Sequence, residues 1–202
     1  MIFSEEIKQE IMTWKECKKL IDSDRKRLTK SQWGGIKYLI FNASFRITFW
    51  FRIGSYLKTK RTIPYKLLYG IVFLIHKHNQ YLTGIQISFG TPIKEGVMFG
   101  HFSDIVINKG CTIGKNCTIF QGVTIGSIRT NKAKSGSPTI GNNVVISPGA
   151  KIIGRITIGN NVFIAPNSVV IHDIPDNTTI GGIPAKILNY NGAENCSFYT
   201  SD

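Results

Sequence analysis

Acidic residues are missing from a long N-terminal stretch of this chain. Between Arg25 and Lys94 there are thirteen Lys or Arg residues and no Asp or Glu. The rest of the 202-residue sequence is neutral, so the net charge of +13 belongs to this stretch, which is also rich in aromatic residues. Two interpretations stay open: helices that pack together and leave a solvated basic face, or contact with an anionic membrane surface. Nucleic-acid binding is not expected, because no known nucleic-acid motif accompanies the charge.

Cysteine and histidine are scarce, with four residues of each type. The cysteines do not have the spacing of a disulfide framework, and no CxxC motif or Cys/His cluster predicts a metal site. Cys111 and Cys117 fall at equivalent small-residue positions of a repeat, where packing in a core explains them. This cysteine usage fits a reducing cytoplasm.

Long hydrophobic runs are also absent. The most apolar run, residues 67–75, is far shorter than the ~20 residues that span a bilayer. Residues 1–6 carry acids and no basic segment, so no secretory signal is expected. We therefore expect a cytoplasmic protein, with peripheral contact at the inner face of the plasma membrane left open by the basic N-terminal stretch.

A repeat of six residues dominates the second half of the chain. An aliphatic residue returns at every sixth position, with a small or aliphatic residue four positions later and recurring Gly and Asn positions between them. This period is neither helical nor that of an ordinary strand, and it is typical of a left-handed parallel β-helix. The fold class predicted is mainly β, a left-handed parallel β-helix with an N-terminal α-helical cap. The aliphatic residues that keep this six-residue spacing are Ile107, Ile113, Ile119, Ile125, Ile140, Ile146, Ile152, Ile158, Ile164 and Val170.

Three regions are expected along the chain: a helical cap over residues 1–82, the β-helix over 83–190 and a flexible tail over 191–202. Within the cap, Thr13 and Glu16 have the spacing of a capping box, residues 44–58 have an amphipathic pattern, and residues 25–30 look basic and solvated. Another helix should begin near Pro64 and end at Thr83 and Gly84. The six-residue period shifts by two just before Ile107, and a polar, basic loop at 127–138 interrupts it.

His101 is the one histidine within the regular coils, and it lies beside the two-residue shift. On the residues alone, a structural and a chemical role both stay open for it. The run IKEGVMFGHFSDIVINKGCTIGKNCTIFQGVTIG and the ending IGGIPAKI resemble the serine acetyltransferase branch of the hexapeptide-repeat acyltransferases. The N-terminal segments TWKECKKLIDSDRKR and FRITFWFRIGSYL are more similar to the exopolysaccharide- and capsule-cluster O-acetyltransferases of that branch.

The resemblance implies transfer of an acetyl group from acetyl-CoA, as co-substrate, to an acceptor hydroxyl, without a metal. It implies His101 as general base, with Gln86 at the position of the family's orienting carboxylate. Asp104 and Ser137 are implied near the acceptor, Ser137 standing where the family has a second histidine. The residues implied at acetyl-CoA are Gly126, Ser127, Ser147, Pro148, Ala165, Pro166 and Lys186.

Gln86 and Ser137 depart from the family pattern, which argues for a cell-envelope or exopolysaccharide sugar as acceptor. Serine O-acetylation for cysteine biosynthesis is the first alternative, and a non-catalytic β-helix scaffold is an alternative of another class. The resemblance also implies a homotrimer, or a dimer of trimers, with each site lying between neighbouring β-helices.

Overall fold

The structure, a computed structural model, describes residues 12–29, 34–129 and 135–198. Four helices precede fourteen short strands. The helices are α1 (Trp14–Lys26), α2 (Gly34–Phe41), α3 (Ala43–Lys58) and α4 (Ile63–Thr83). The strands are β1 (Ile85–Ile87), β2 (Met98–Phe99), β3 (Ile105–Ile107), β4 (Thr112–Ile113), β5 (Thr118–Ile119), β6 (Thr124–Gly126), β7 (Thr139–Ile140), β8 (Val145–Ile146), β9 (Lys151–Ile153), β10 (Thr157–Ile158), β11 (Phe163–Ile164), β12 (Val169–Val170), β13 (Thr179–Gly182) and β14 (Ala185–Asn189).

The strands form the three faces of a β-helix, in agreement with the six-residue period. The first face is β1-β3-β6-β9-β12, the second is β4-β7-β10 and the third is β2-β5-β8-β11-β13, and every strand pair among these is parallel. Among the strands of the described residues, β14 alone runs antiparallel, against β13. The predicted fold class is confirmed, with helices α1–α4 at the N-terminal end.

The aliphatic residues of the repeat form the core of the β-helix. All ten aliphatic residues that keep the six-residue spacing are buried, each at most 3% exposed. Cys111 and Cys117 are fully buried beside them, so their interpretation as core residues is confirmed. Five asparagines at corners have φ between 52° and 57°, a conformation that Asn tolerates better than most residues, and these are Asn116, Asn143, Asn161, Asn167 and Asn177.

The predicted helix signals are confirmed within the described residues. Thr13 and Glu16 form a capping box at the start of α1. Helix α3 begins after Asn42, whose side chain accepts a hydrogen bond from the Phe45 N–H. Helix α4 has Pro64 in its first turn and ends at Gly84, which has φ of 69°.

A buried ion pair joins the helical cap to the first coil of the β-helix. Arg52 of α3 donates through Nε and Nη2 to the Asp24 carboxylate of α1, at 2.9 and 3.2 Å. Both side chains are at most 3% exposed. Arg52 also donates to the carbonyl oxygens of Ile93 and Lys94, and the Val97 N–H donates to Asp24. One guanidinium thus ties two helices to the coil that precedes His101.

Two expectations about polar segments need correction. Arg27 is not solvated: it donates to the Gly96 and Phe198 carbonyls and to the Thr118 hydroxyl. The tail, expected to be flexible over 191–202, packs along the third face over residues 191–198, where Ala193 is 1% exposed and its N–H donates to Asn161. Residues 199–202 lie outside the described residues.

Candidate active site

His101 lies on a corner where the β-helix is locally enlarged. Phe99 pairs with Ile119, twenty residues later, whereas Ile107 pairs with Ile125, eighteen residues later. The two extra residues therefore fall between Phe99 and Ile107, at the turn that carries His101. This confirms the predicted shift beside the histidine. The enlargement pushes the side chain outward, and His101 is exposed.

The corner is held by close packing on both sides. A Cβ on Gly100 would lie 2.4 Å from the ring of Phe120, and the His101 ring centroid is 6.2 Å from that ring. A Cβ on Gly84, at the end of α4, would lie 2.8 Å from the backbone nitrogen of Asp104. The helical cap and the neighbouring coil therefore both fix the backbone around His101.

Asp104 is exposed and follows the histidine on the same corner. Its carboxylate accepts a hydrogen bond of 3.0 Å from the Ser103 hydroxyl. Its φ of 50° is in the left-handed region, where Asp is one of the more tolerant residues. The structure brings Asp104 beside the outward face of the corner, but no hydrogen bond joins it to His101 among the described residues.

Several of the predicted residues share one edge of the prism with His101. We call the corner between the third and first faces the histidine edge; it follows β2, β5, β8 and β11. His101 follows β2, Ser147 and Pro148 follow β8, and Ala165 and Pro166 follow β11. Neighbouring coils rise by about 4.8 Å, so Ala165 lies about 14 Å along the axis from the His101 coil.

Beyond the coil that carries Phe120, the edge is lined by small residues and ends at a lysine. A Cβ on Gly181, at the next coil, would lie 3.2 Å from the Cβ of Ala165. Gly181 pairs with Lys186 of β14, whose side chain is exposed. A shallow, rigid track of small side chains therefore leads from the histidine toward a cation.

Other predicted residues lie on a different edge. We call the corner between the first and second faces the loop edge. Gly126 ends β6, and Ser127 begins the loop whose stem is closed by two hydrogen bonds of 3.0 Å between Ile128 and Gly136. The Ser137 hydroxyl lies 3.3 Å from the Asn108 side chain. Within one chain, the first face separates Ser137 from His101. Residues 130–134 of the predicted loop lie outside the described residues.

Gln86 is the central residue of β1 and points outward from the first face. It pairs with Val106 and lines a cleft beneath α4. Among the described residues, no hydrogen bond joins Gln86 to the His101 ring. Within a single chain, Gln86 therefore does not orient His101 by a direct hydrogen bond.

Three of the four cysteines offer no alternative nucleophile. Burial raises the pKa of Cys17, Cys111 and Cys117 to about 11 in each case, so these thiols stay protonated near neutral pH. Within the described ranges, no group of three or more His, Cys, Asp and Glu side chains is placed to hold a metal ion. Nor does any helix there combine the length and apolar content needed to cross a bilayer.

Phe120 and the C-terminal segment were missed as neighbours of the histidine. Phe120 occupies the position on the histidine edge that Ser147 and Ala165 occupy in later coils, and its ring packs against Phe198 at 4.9 Å. The sequence did contain a signal for Phe120, because an aromatic residue follows Ile119 where small residues follow the aliphatic residue in several other repeats. No local pattern pointed to Phe198.

Comparisons with known proteins agree with this architecture. Residues 137–172 match the family model described as bacterial transferase hexapeptide (six repeats). The serine acetyltransferase of Bacillus subtilis is 40% identical over 124 residues, which cover 61% of this chain and 57% of that protein. The chain thus spans a little over half the length of this curated relative.

Two solved structures show the same fold. The Neisseria gonorrhoeae serine acetyltransferase in complex with serine has a TM-score of 0.69 and 25% identity, covering 85% of this chain and 69% of that one. A serine acetyltransferase in complex with CoA has a TM-score of 0.69 and 25% identity, covering 86% and 70%. The chain is thus a left-handed β-helix protein with hexapeptide repeats, similar in sequence and structure to serine acetyltransferases.

Proposed function

We propose that the protein is an acetyl-CoA-dependent O-acetyltransferase with His101 as its general base. The observation that carries this proposal is the shared edge, on which an outward histidine and a track of small residues are aligned. The similarity to serine acetyltransferases, one of them solved with CoA, supports acetyl-CoA as the donor.

In the proposed reaction, the neutral His101 imidazole accepts the proton of the acceptor hydroxyl. The hydroxyl oxygen attacks the thioester carbonyl of acetyl-CoA, and a backbone N–H donor would stabilise the oxyanion that develops. The C–S bond then breaks, the acetyl ester forms, and the imidazolium returns its proton to the thiolate of CoA. Proton transfer by a positioned base contributes about 10²–10⁴ in rate.

The track on the histidine edge suits the extended arm of CoA. Ser147, Pro148, Ala165 and Pro166 present little side-chain bulk at the corner of successive coils. A thioester at the His101 end would leave the phosphates near Lys186, whose ammonium suits a phosphate oxygen. With this assignment, acetyl-CoA would bind along the β-helix alone, which is rigid.

A homotrimer would complete the site. In the single chain the His101 ring has no hydrogen-bond partner among the described residues, and Ser127 and Ser137 lie on the loop edge. A threefold arrangement of prisms would bring the histidine edge of one chain beside the loop edge of the next. The acceptor would then bind between them, with Asp104 on one side and Ser137 of the adjacent chain on the other.

L-Serine is the acceptor that the comparisons favour, because the relatives described above are serine acetyltransferases. They lend no support to the exopolysaccharide branch. A sugar hydroxyl stays the second candidate on one observation: Gln86 and Ser137 are neutral where the resemblance implies a carboxylate and a second histidine. Gln86 would bring no charge to stabilise the imidazolium of His101, and Ser137 would bring no imidazole to bind an amino acid.

The decisive experiment measures release of the CoA thiol from acetyl-CoA, with L-serine or with envelope sugars as acceptor. His101→Ala should lower acceptor-dependent turnover by about 10²–10⁴. His172→Ala is the matched control, because His172 is an exposed histidine at the far end of the coils and should leave turnover unchanged. Full activity of His101→Ala would exclude the mechanism, and no acceptor-dependent turnover of the wild type would favour a scaffold.

The same proposal includes peripheral binding to anionic membrane. Helix α4 exposes Ile63, Leu67, Ile71 and Leu74 in one stripe, each at least 58% exposed. The helix carries lysines and no acid, so its charge complements anionic lipid. Sedimentation with phosphatidylglycerol vesicles should show binding at low salt that Leu67→Ser weakens; no binding at low salt would contradict it.

A further inference from the structure

A cleft separate from the histidine edge lies between the helical cap and the first face. Its volume is about 650 Å³. Helix α4 and the end of α3 form one wall, and residues of β1 and β3 and the turns after them form the other. The lining residues are Lys58, Tyr69, Phe73, His76, Lys77, Gln80, Gln86, Ile87, Ser88, Phe89, Val106, Ile107, Asn108 and Lys109.

The charge in this cleft has one sign. Three lysines line it, Lys58, Lys77 and Lys109, and no carboxylate does. Burial, and then the positive charge of Lys109, lower the pKa of Lys58. Lys58 Nζ donates to the Phe89 carbonyl at 2.8 Å, whereas Lys77 and Lys109 have no side-chain partner among the described residues.

A buried histidine with an unused nitrogen lies in the same lining. His76 is 2% exposed and stacks on Phe89 with ring centroids 4.4 Å apart. The Gln80 amide nitrogen lies 2.6 Å from the Ile87 carbonyl oxygen and 2.9 Å from His76 Nε2. His76 Nε2 is itself 3.0 Å from that carbonyl oxygen, so the proton lies on Nε2 if the ring donates to Ile87 and on Nδ1 if the ring accepts from Gln80. In either tautomer Nδ1 is buried and has no partner in the described residues.

The neutral form of His76 suits this arrangement. Burial is the main cause that lowers its pKa, and the charge of Lys77 lowers it further, while the hydrogen bond with Ile87 raises it. In either tautomer Nδ1 is a buried polar atom without a partner among the described residues, which is unfavourable in a protein interior. The acceptor oxygens of a ligand would satisfy the lysines, and they would also satisfy Nδ1 in the tautomer that carries the proton there.

We propose that this cleft binds a phosphate group. Lys77 and Lys109 would supply the charge, and the amides of Gln86 and Asn108 and the Nδ1–H of His76 would supply directional donors. The aromatic wall of Tyr69, Phe73 and Phe89 would contact an organic portion attached to the phosphate. The site lies under α4 and does not use His101, but it shares Gln86 with the residues that the resemblance implies for acetyl transfer, and its Asn108 contacts Ser137. Binding of the probes is therefore measured without acetyl-CoA, so that it is tested apart from turnover.

The test measures binding of two probes to the full-length protein by calorimetry, at low and at physiological salt. Inorganic pyrophosphate represents a free phosphate, and monomeric dihexanoyl-phosphatidylglycerol represents a lipid headgroup. The charge variant is Lys77→Gln with Lys109→Gln; its control is Lys15→Gln with Lys94→Gln, two exposed lysines outside the cleft that lower the net charge equally. His76→Phe tests the buried donor while keeping the stack on Phe89.

We expect saturable binding of at least one probe, with a Kd near or below about 1 mM. The charge variant should weaken it by about tenfold or more and the control should not, because loss of charge-assisted hydrogen bonds is specific to the site. His76→Phe should weaken it about fivefold. The probe bound more tightly identifies the source of the phosphate. Absence of saturable binding, or equal weakening by charge variant and control, would overturn the proposal.

Discussion

The ion pair between Asp24 and Arg52 makes the strongest prediction about stability. Asp24→Asn keeps the size of the side chain and removes its charge. The guanidinium of Arg52 would keep its two carbonyl partners at 2.6 and 2.7 Å, but it would lose the carboxylate that balances its charge. Three N–H groups donate to the Asp24 carboxylate, two from Arg52 and one from the Val97 backbone. The NH₂ group of an Asn side chain is itself a donor, so that side chain could not accept from all three.

The size of the stability loss expected for Asp24→Asn follows from the burial of the ion pair. Breaking one partner of a buried pair costs about 3–5 kcal/mol, because the remaining charge stays desolvated. That is a large part of a typical stability of about 5–15 kcal/mol. For a chain of this length, Tm should fall by roughly 6–20 °C. Asp22→Asn is the matched control on the same helix: the Asp22 side chain, which pairs with Arg25 and Lys26, is 46% exposed, so the loss should be about 0–1 kcal/mol.

Urea denaturation followed by circular dichroism, at one protomer concentration, measures both variants. The reasoning is refuted if Asp24→Asn and Asp22→Asn differ by less than about 1 kcal/mol. A further variant separates charge from packing. Replacing the pair together, by Asp24→Leu with Arg52→Met, should recover most of the loss, since a well-packed apolar pair often matches a buried ion pair.

Two further predictions concern thiols and backbone packing. Iodoacetamide at about pH 8 should label Cys196 alone in the folded protein, because burial protects the other three thiols; mass spectrometry showing two or more labels would contradict this. Gly100→Ala should destabilise the protein by about 1–3 kcal/mol, since the new Cβ meets the ring of Phe120. Gly70→Ala, in open space on α4, should instead stabilise it by up to about 1 kcal/mol in the same denaturation assay, and equal effects would disprove the packing argument.

The faces of the β-helix were predictable because their physics is local. One aliphatic residue in six fills a narrow core, so the position of Ile119 or Ile146 could be read from spacing alone. The enlarged corner at His101 was visible for the same reason, as two residues in excess of the period. Helix α4 was predicted from Pro64 and Gly84, whose backbone preferences act within a single turn.

The contacts of the tail were not predictable from such patterns. Arg27 reaches the carbonyl of Phe198, which is 171 residues away in the sequence. A basic run and a polar tail each look solvated when taken separately, and only the folded third face brings them together. The surroundings of Gln86 could not be predicted from the sequence for a similar reason, because the cleft that Gln86 lines is formed by α4 as well as by its own strand.

The two interruptions of the period have different consequences for the site. The extra residues at His101 lie on the histidine edge, whereas the loop that begins at Ser127 lies on the loop edge. A shared role for both in one reaction therefore requires that two chains meet edge to edge. The exposed ring of His101 has no hydrogen-bond partner among the described residues, which agrees with this requirement, because a base needs its tautomer fixed by a hydrogen bond. If the protein proved to be an active monomer, Ser137 would have no part in the reaction and the enlarged corner alone would have to hold both substrates.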